Sequence, residues 1–132
     1  MSEENVEVIR DAYERWNRGD FGWATLVTPE FEYDAGAAMV GLSGGYRGLE
    51  GFVRFLEQFW GQFDEPHAEP QEFIDAGDSV LAVITFEGRG KQSGVDVNME
   101  VFQLWTFRNG KVVRGRGFFD RAEALEAAGL SE

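Results

Sequence analysis

The chain has 132 residues, the size of one domain, and with 43% hydrophobic residues, twelve Phe and four Trp it can bury a core without staples. Twelve Lys and Arg against 24 Asp and Glu leave a net charge of −12, which repels phosphate backbones and anionic lipid surfaces and argues against nucleic acid and membrane as partners. Cysteine is absent, which removes disulfides, thiol nucleophiles and thiolate metal sites together.

The segment Met1-Ser2-Glu3-Glu4 has neither the basic nor the apolar region of a signal peptide. The longest apolar stretch, residues 80–86, falls short of the ~20 residues that span a bilayer. The expectation is one cytoplasmic domain over residues 1–132.

In chain order, Val6, Ile9, Tyr13 and Trp16 recur at helical spacing, and Gly19 closes an amphipathic helix over residues 3–18. Asp20 is placed to cap a short second helix through Trp23, Ala24, Leu26 and Val27, ended by Pro29. Residues 31–34 alternate as a first strand, and the glycine-rich residues 36–48 read as a loop. A third helix over residues 49–63 puts Phe52, Phe55, Leu56, Phe59 and Phe63 on one face.

The pattern then switches to period two, predicting strands at 68–76, 79–89, 95–107 and 111–119. Asn109-Gly110 between the last two is a type I′ hairpin signal. The spacing of Asp120 to Glu123 reads as the cap of a short C-terminal helix ending at Gly129. The expected fold class is therefore α+β: an antiparallel sheet covered by three N-terminal helices, with a short C-terminal helix.

A two-residue turn at Asn109-Gly110 sets the hairpin register unless a bulge intervenes. It places Val101 opposite Phe118, Gln103 opposite Arg116, Trp105 opposite Arg114 and Phe107 opposite Val112 on one face. Phe102, Leu104, Gly115 and Gly117 fall on the other. Both faces then carry large apolar side chains, and the two long helices cover one of them, so a homodimer through the outer sheet face is expected.

The order of elements, carried by AYERWNRGD at 12–20, TPEFEY at 28–33, YRGLEGFVRFL at 46–56, EFIDAGDSVLA at 72–82, QLWTFRNGKVVR at 103–114 and FFDRAEALEAAGL at 118–130, resembles the nuclear-transport-factor-2-like superfamily and in particular its SnoaL-like branch. The resemblance implies a cone-shaped sheet closed by helices over an elongated apolar cavity. Relatives of this kind include ketosteroid isomerases and polyketide cyclases, which place a carboxylate or histidine base in the cavity.

By that resemblance the isomerases' base Asp falls on Asp34 or, one gap away, on Ala35, and an aromatic cavity desolvates a carboxylate and makes it a better base near neutral pH. The alternative places Asp34 on a solvated strand end, and Glu32 shares its phase. The isomerases' oxyanion donors fall on Ala12 and Gln103, and the cyclases' His and Asp fall on Gln103 and Gly117, so neither acid–base set is present. Gln103 can orient a ligand carbonyl but cannot carry a proton.

Arg116, if it faces the cavity, binds an anionic group or neutralises Asp34; the alternative is a surface arginine at a bulged position. The aromatics Tyr13, Trp16, Tyr33, Phe55, Phe59 and Trp105, with Val101 and Phe118, complete the expected lining for a small, mostly apolar ligand with a carbonyl or acid group. His67, the only histidine, is expected at the surface. No metal and no cofactor is expected. Two functions remain open: an isomerase-, cyclase- or hydratase-type enzyme with Asp34 as base, and a non-catalytic binding domain.

Overall fold

Residues 2–20, 27–34 and 45–130 are described in the computed structural model of the protein. They form α1 (Ser2–Asn17), β1 (Val27–Asp34), β2 (Gly45–Arg47), α2 (Gly48–Trp60), β3 (Phe63–Asp75), β4 (Ser79–Gly90), β5 (Asp96–Arg108), β6 (Lys111–Phe118) and α3 (Arg121–Ala127). The strands make one six-stranded sheet in the order β2-β1-β6-β5-β4-β3. All neighbours are antiparallel except β1 and β6, which run parallel. None of these helices is long and apolar enough to cross a membrane.

Local chemistry fixes the ends of the helices. At the end of α1, Gly19 adopts φ +82°, and Gly19 and Asp20 donate backbone N–H groups to the carbonyls of Trp16 and Arg15 at 2.9 Å. At α3 the Asp120 carboxylate accepts from the Glu123 N–H at 3.1 Å, the capping role read from the sequence, and Gly129 closes the helix at φ +77°.

α1 and α2 cover the inner face of the sheet, burying Ile9, Tyr13, Trp16, Phe52, Phe55 and Leu56 against Val80, Ala82, Ile84 and Trp105. α3 lies on the opposite face, where Ala124 and Leu125 pack on Leu81, Val83, Phe102 and Leu104. α3 thus covers part of the apolar outer face on which the expectation of a second chain rests. Among the described residues, Val95 is the large hydrophobic side chain left exposed.

Two further features depart from the sequence reading. Pro29 lies within β1 instead of ending a helix, and Val27, expected in that helix, pairs with Val112 of β6; the rest of the expected second helix, residues 21–26, lies outside the described residues. Tyr46 pairs with Tyr33, making β2 out of the end of the expected glycine loop; residues 35–44 of that loop lie outside the description.

The side chain of Asn17 protects the free edge of β3. Its amide donates to the Ala68 carbonyl at 2.8 Å and accepts from the Ala68 N–H at 2.8 Å, standing in for a neighbouring strand and tying the end of α1 to the sheet. Replacing it leaves the backbone of the buried Ala68 unpaired. Asn17→Leu is therefore expected to lower stability by about 1–3 kcal/mol. Urea unfolding checks it, as a drop in midpoint with an unchanged slope.

Candidate functional site

The site is built on the inner face where β1, β6 and β5 run side by side. Across these strands Tyr33, Gly115 and Trp105 stand in one row. A Cβ on Gly115 would lie 2.5 Å from Trp105 Cζ3 and 2.7 Å from Tyr33 Cδ1. Only a residue without a side chain lets the two rings close over the middle strand, where their centroids are 5.7 Å apart at 26°. The next row places Gln103 between Gly117 and Ala82, two small neighbours that leave its amide clear.

A directed hydrogen-bond chain joins the row to α1. The Trp105 indole Nε1–H donates to the Tyr13 hydroxyl at 3.2 Å, and that hydroxyl donates to Gln103 Oε1. The other end of the amide, Gln103 Nε2, donates to the Tyr33 hydroxyl at 2.8 Å. Burial disfavours the phenolates most. It raises the pKa of Tyr13 well above the ordinary phenol value, against the Trp105 hydrogen bond and with the help of Tyr33. Tyr33 is raised as well, by burial first, against the Gln103 hydrogen bond and with the negative charges of Asp34 and Tyr46 adding. Both rings are neutral hydrogen-bonding groups across the ordinary pH range.

Beside this chain lies a hollow lined by Trp16, Phe55, Phe59, Trp60, Phe86 and Phe119, by Leu56, Ala68, Ile84, Val101 and Gly117, and by Tyr13, Tyr33 and Gln103 of the chain itself. The space that admits the centre of a water molecule is about 40 Å³; counting all empty space, including the part continuous with solvent, it is about 520 Å³. The smaller volume decides what fits the deep end without rearrangement. At about 10–15 Å³ per water it takes a few non-hydrogen atoms, not a polycyclic skeleton.

The structure brings Tyr13, Trp16, Tyr33, Phe55, Phe59, Val101 and Gln103 to this hollow. Trp105 stands behind it, fully buried, and acts on it through Tyr13. Arg116 and Phe118 are elsewhere. The hairpin keeps Arg108 opposite Lys111 and Phe107 opposite Val112, but then Thr106 pairs with Arg114, so that Val113 is an extra residue. From there the register slips by one: Trp105 faces Gly115, Gln103 faces Gly117, and Arg116 pairs with Leu104 on the outer face. There its guanidinium lies 5.0 Å from the centre of the Phe118 ring. The same slip brings Gly117 and Phe119 inward, two lining residues the sequence register missed; Ile84 and Phe86 lie on the inward phase of β4 and were legible from alternation alone.

Asp34 does not line the hollow. It follows Tyr33 on the opposite phase of β1 and is exposed. Glu32 is exposed on the same phase, with Arg47 3.6 Å away. His67 is at the surface, 2.9 Å from Glu69. Among the described residues no group of three or more His, Asp or Glu is placed to hold a metal ion.

Residues 9–115 match the model of the SnoaL-like domain. The chain belongs to this family. Its SnoaL-like fold is shared with an NTF2-like protein of unknown function from Burkholderia pseudomallei, 25% identical over 93% of this chain and 95% of that one, with a TM-score of 0.79. It is also similar to TerC, in a structure co-crystallised with polyporic acid: 27% identity, 96% and 98% coverage, and a TM-score of 0.77. Bal32a, from a soil-derived mobile gene cassette, shares the fold at 20% identity, with 93% and 94% coverage and a TM-score of 0.81. No curated protein matches the chain.

Two outcomes follow from this geometry. Gly115→Ala forces a methyl group between Tyr33 and Trp105 and is expected to cost about 1–3 kcal/mol, with an altered near-ultraviolet circular dichroism signal, because overpacking displaces the rings. Alkaline pH destabilises the domain for a separate reason. The two phenols hold protons that the unfolded chain releases above about pH 10. Their contribution is intact below that value and is lost as pH rises toward the folded-state values, by about 1.4 kcal/mol per pH unit for each tyrosine. Urea unfolding between about pH 9 and 11 reads this decline, and Tyr33→Phe makes it shallower.

Proposed function

We propose that this SnoaL-like domain holds a small, mostly apolar molecule in the aromatic hollow, oriented by Gln103 and its two tyrosines, and does no acid–base chemistry on it. One observation carries the reading: the described lining contains no carboxylate, imidazole, ammonium or guanidinium group. The segments outside the description beside β1 add none, since residues 21–26 read FGWATL and residues 35–44 read AGAAMVGLSG. The groups that meet a ligand are an amide and two phenols kept neutral by burial, which orient a substrate but do not abstract a proton from carbon near neutral pH.

The similarity to TerC supports a ligand of aromatic character, because that relative crystallises with polyporic acid. The small deep space supports entry of one end of such a molecule. A thermal-shift screen of cyclic ketones, quinones and aromatic acids, with polyporic acid among them, is expected to find binders. A ligand at 100 times its dissociation constant adds about 2.7 kcal/mol of stability. NMR should then show the Trp105 indole N–H and the Gln103 amide moving on titration. Hydrogen–deuterium exchange next to the carbonyl of a bound ketone should run at its solution rate; an acceleration abolished by Asp34→Asn would replace this reading with the carboxylate-base enzyme.

A further inference from the structure

We infer that the Tyr33 hydroxyl is the hydrogen-bond donor of the hollow and that it selects uncharged ligands bearing a carbonyl oxygen; the inference rests on the binding function proposed above. It follows from the polarity of the buried chain. An indole nitrogen donates and never accepts, so the Tyr13 oxygen must receive the Trp105 N–H. The Tyr13 proton then goes to Gln103 Oε1, which turns the amide nitrogen toward Tyr33. As placed, the chain runs from Trp105 through Tyr13 and Gln103 to Tyr33.

At its end the Tyr33 oxygen accepts from Gln103 while its own proton has no acceptor among the described residues. Tyr33 is 2% exposed and lines the hollow, which is the space open to that proton. The second N–H of the Gln103 amide is likewise unused by any described residue, so two donors converge on one space. What fits there is an acceptor. An ammonium group would meet two donor hydrogens in this arrangement, despite the aromatic walls. A carboxylate would be buried with no cation in the described lining. A neutral carbonyl, with two lone pairs and apolar substituents for the aromatic walls, matches both requirements.

The test compares cyclohexanone, labelled with carbon-13 at the carbonyl, with methylenecyclohexane, which has the same shape and no acceptor oxygen. The ketone should bind at least about tenfold more tightly, as a difference of one net hydrogen bond implies. Its carbonyl carbon should move downfield on binding, and its infrared stretch should fall below the value in hexane. Tyr33→Phe should remove the preference and most of both spectroscopic changes. Tyr13→Phe, which interrupts the chain upstream and leaves the Tyr33 hydroxyl in place, should keep a part of them. Equal binding of ketone and alkene, or full spectroscopic changes retained in Tyr33→Phe, would overturn the assignment of the donor and leave the binding function standing. Binding of neither molecule would remove the binding function itself. The infrared comparison needs only the unsubstituted protein, so an unshifted stretch overturns the inference even where Tyr33→Phe does not fold.

Discussion

A buried indole nitrogen has one option, to donate, and at Trp105 that option organises the interior of this domain. The ring is fully buried on β5, and the Tyr13 hydroxyl, brought in by α1, is the acceptor within reach. Without that partner the buried N–H would forfeit a hydrogen bond made in water, a cost of about 1–3 kcal/mol. Satisfying it fixes the rotation of the Tyr13 hydroxyl, then the orientation of the Gln103 amide, then the role of Tyr33. Four side chains from three separate elements are thereby held in one arrangement, each hydrogen bond polarising the next in a surrounding of low dielectric. The placement of α1 over the sheet and the chemistry of the hollow have the same cause.

Room for this chain comes from what β6 lacks. Gly115 and Gly117 sit on the inward phase of that strand, opposite Trp105 and Gln103. Glycine weakens a strand through entropy and the absence of a packing side chain. Here that loss is offset by the aromatic stack over Gly115 and by the space beside Gln103. The extra residue at Val113 makes the arrangement work, because an unbulged hairpin would put Arg114 and Arg116 on the inner face in place of the glycines. Two guanidinium groups in that position would face an aromatic interior with no acidic residue in its described lining to neutralise them.

Much of this was legible in the sequence, and the division follows the range of the interactions. The first helix, its Gly19 stop, the Asp120 cap and the Asn109-Gly110 turn are set by contacts within a few residues, and all stand in the structure. The aromatic stripe facing the sheet was equally clear, since a helix with one apolar face has one way to bury it. The bulge at Val113 was legible only as an alternative to the regular register, not as the outcome. Its signal is spread over three strands, and it takes the pairing of Tyr33 with Gly115 to show why the glycines must face inward. The outer face shows the same limit: the sequence showed apolar residues on both sides of the hairpin, but not that the seven residues of α3 pack on one side.

The carboxylate expected to do chemistry shows how narrowly a strand separates two roles. Tyr33 and Asp34 are neighbours in β1, and alternation sends one into the aromatic interior and the other to the exposed face. The charge of Asp34 still acts on the site, because it adds to burial in keeping the Tyr33 phenol protonated. An acid placed one residue earlier would make the hollow a place for proton abstraction. Placed where it is, it helps keep Tyr33 in its donor form. In a SnoaL-like fold whose described pocket wall carries no ionised group, the binding role proposed above would rest on shape and on a neutral hydrogen bond.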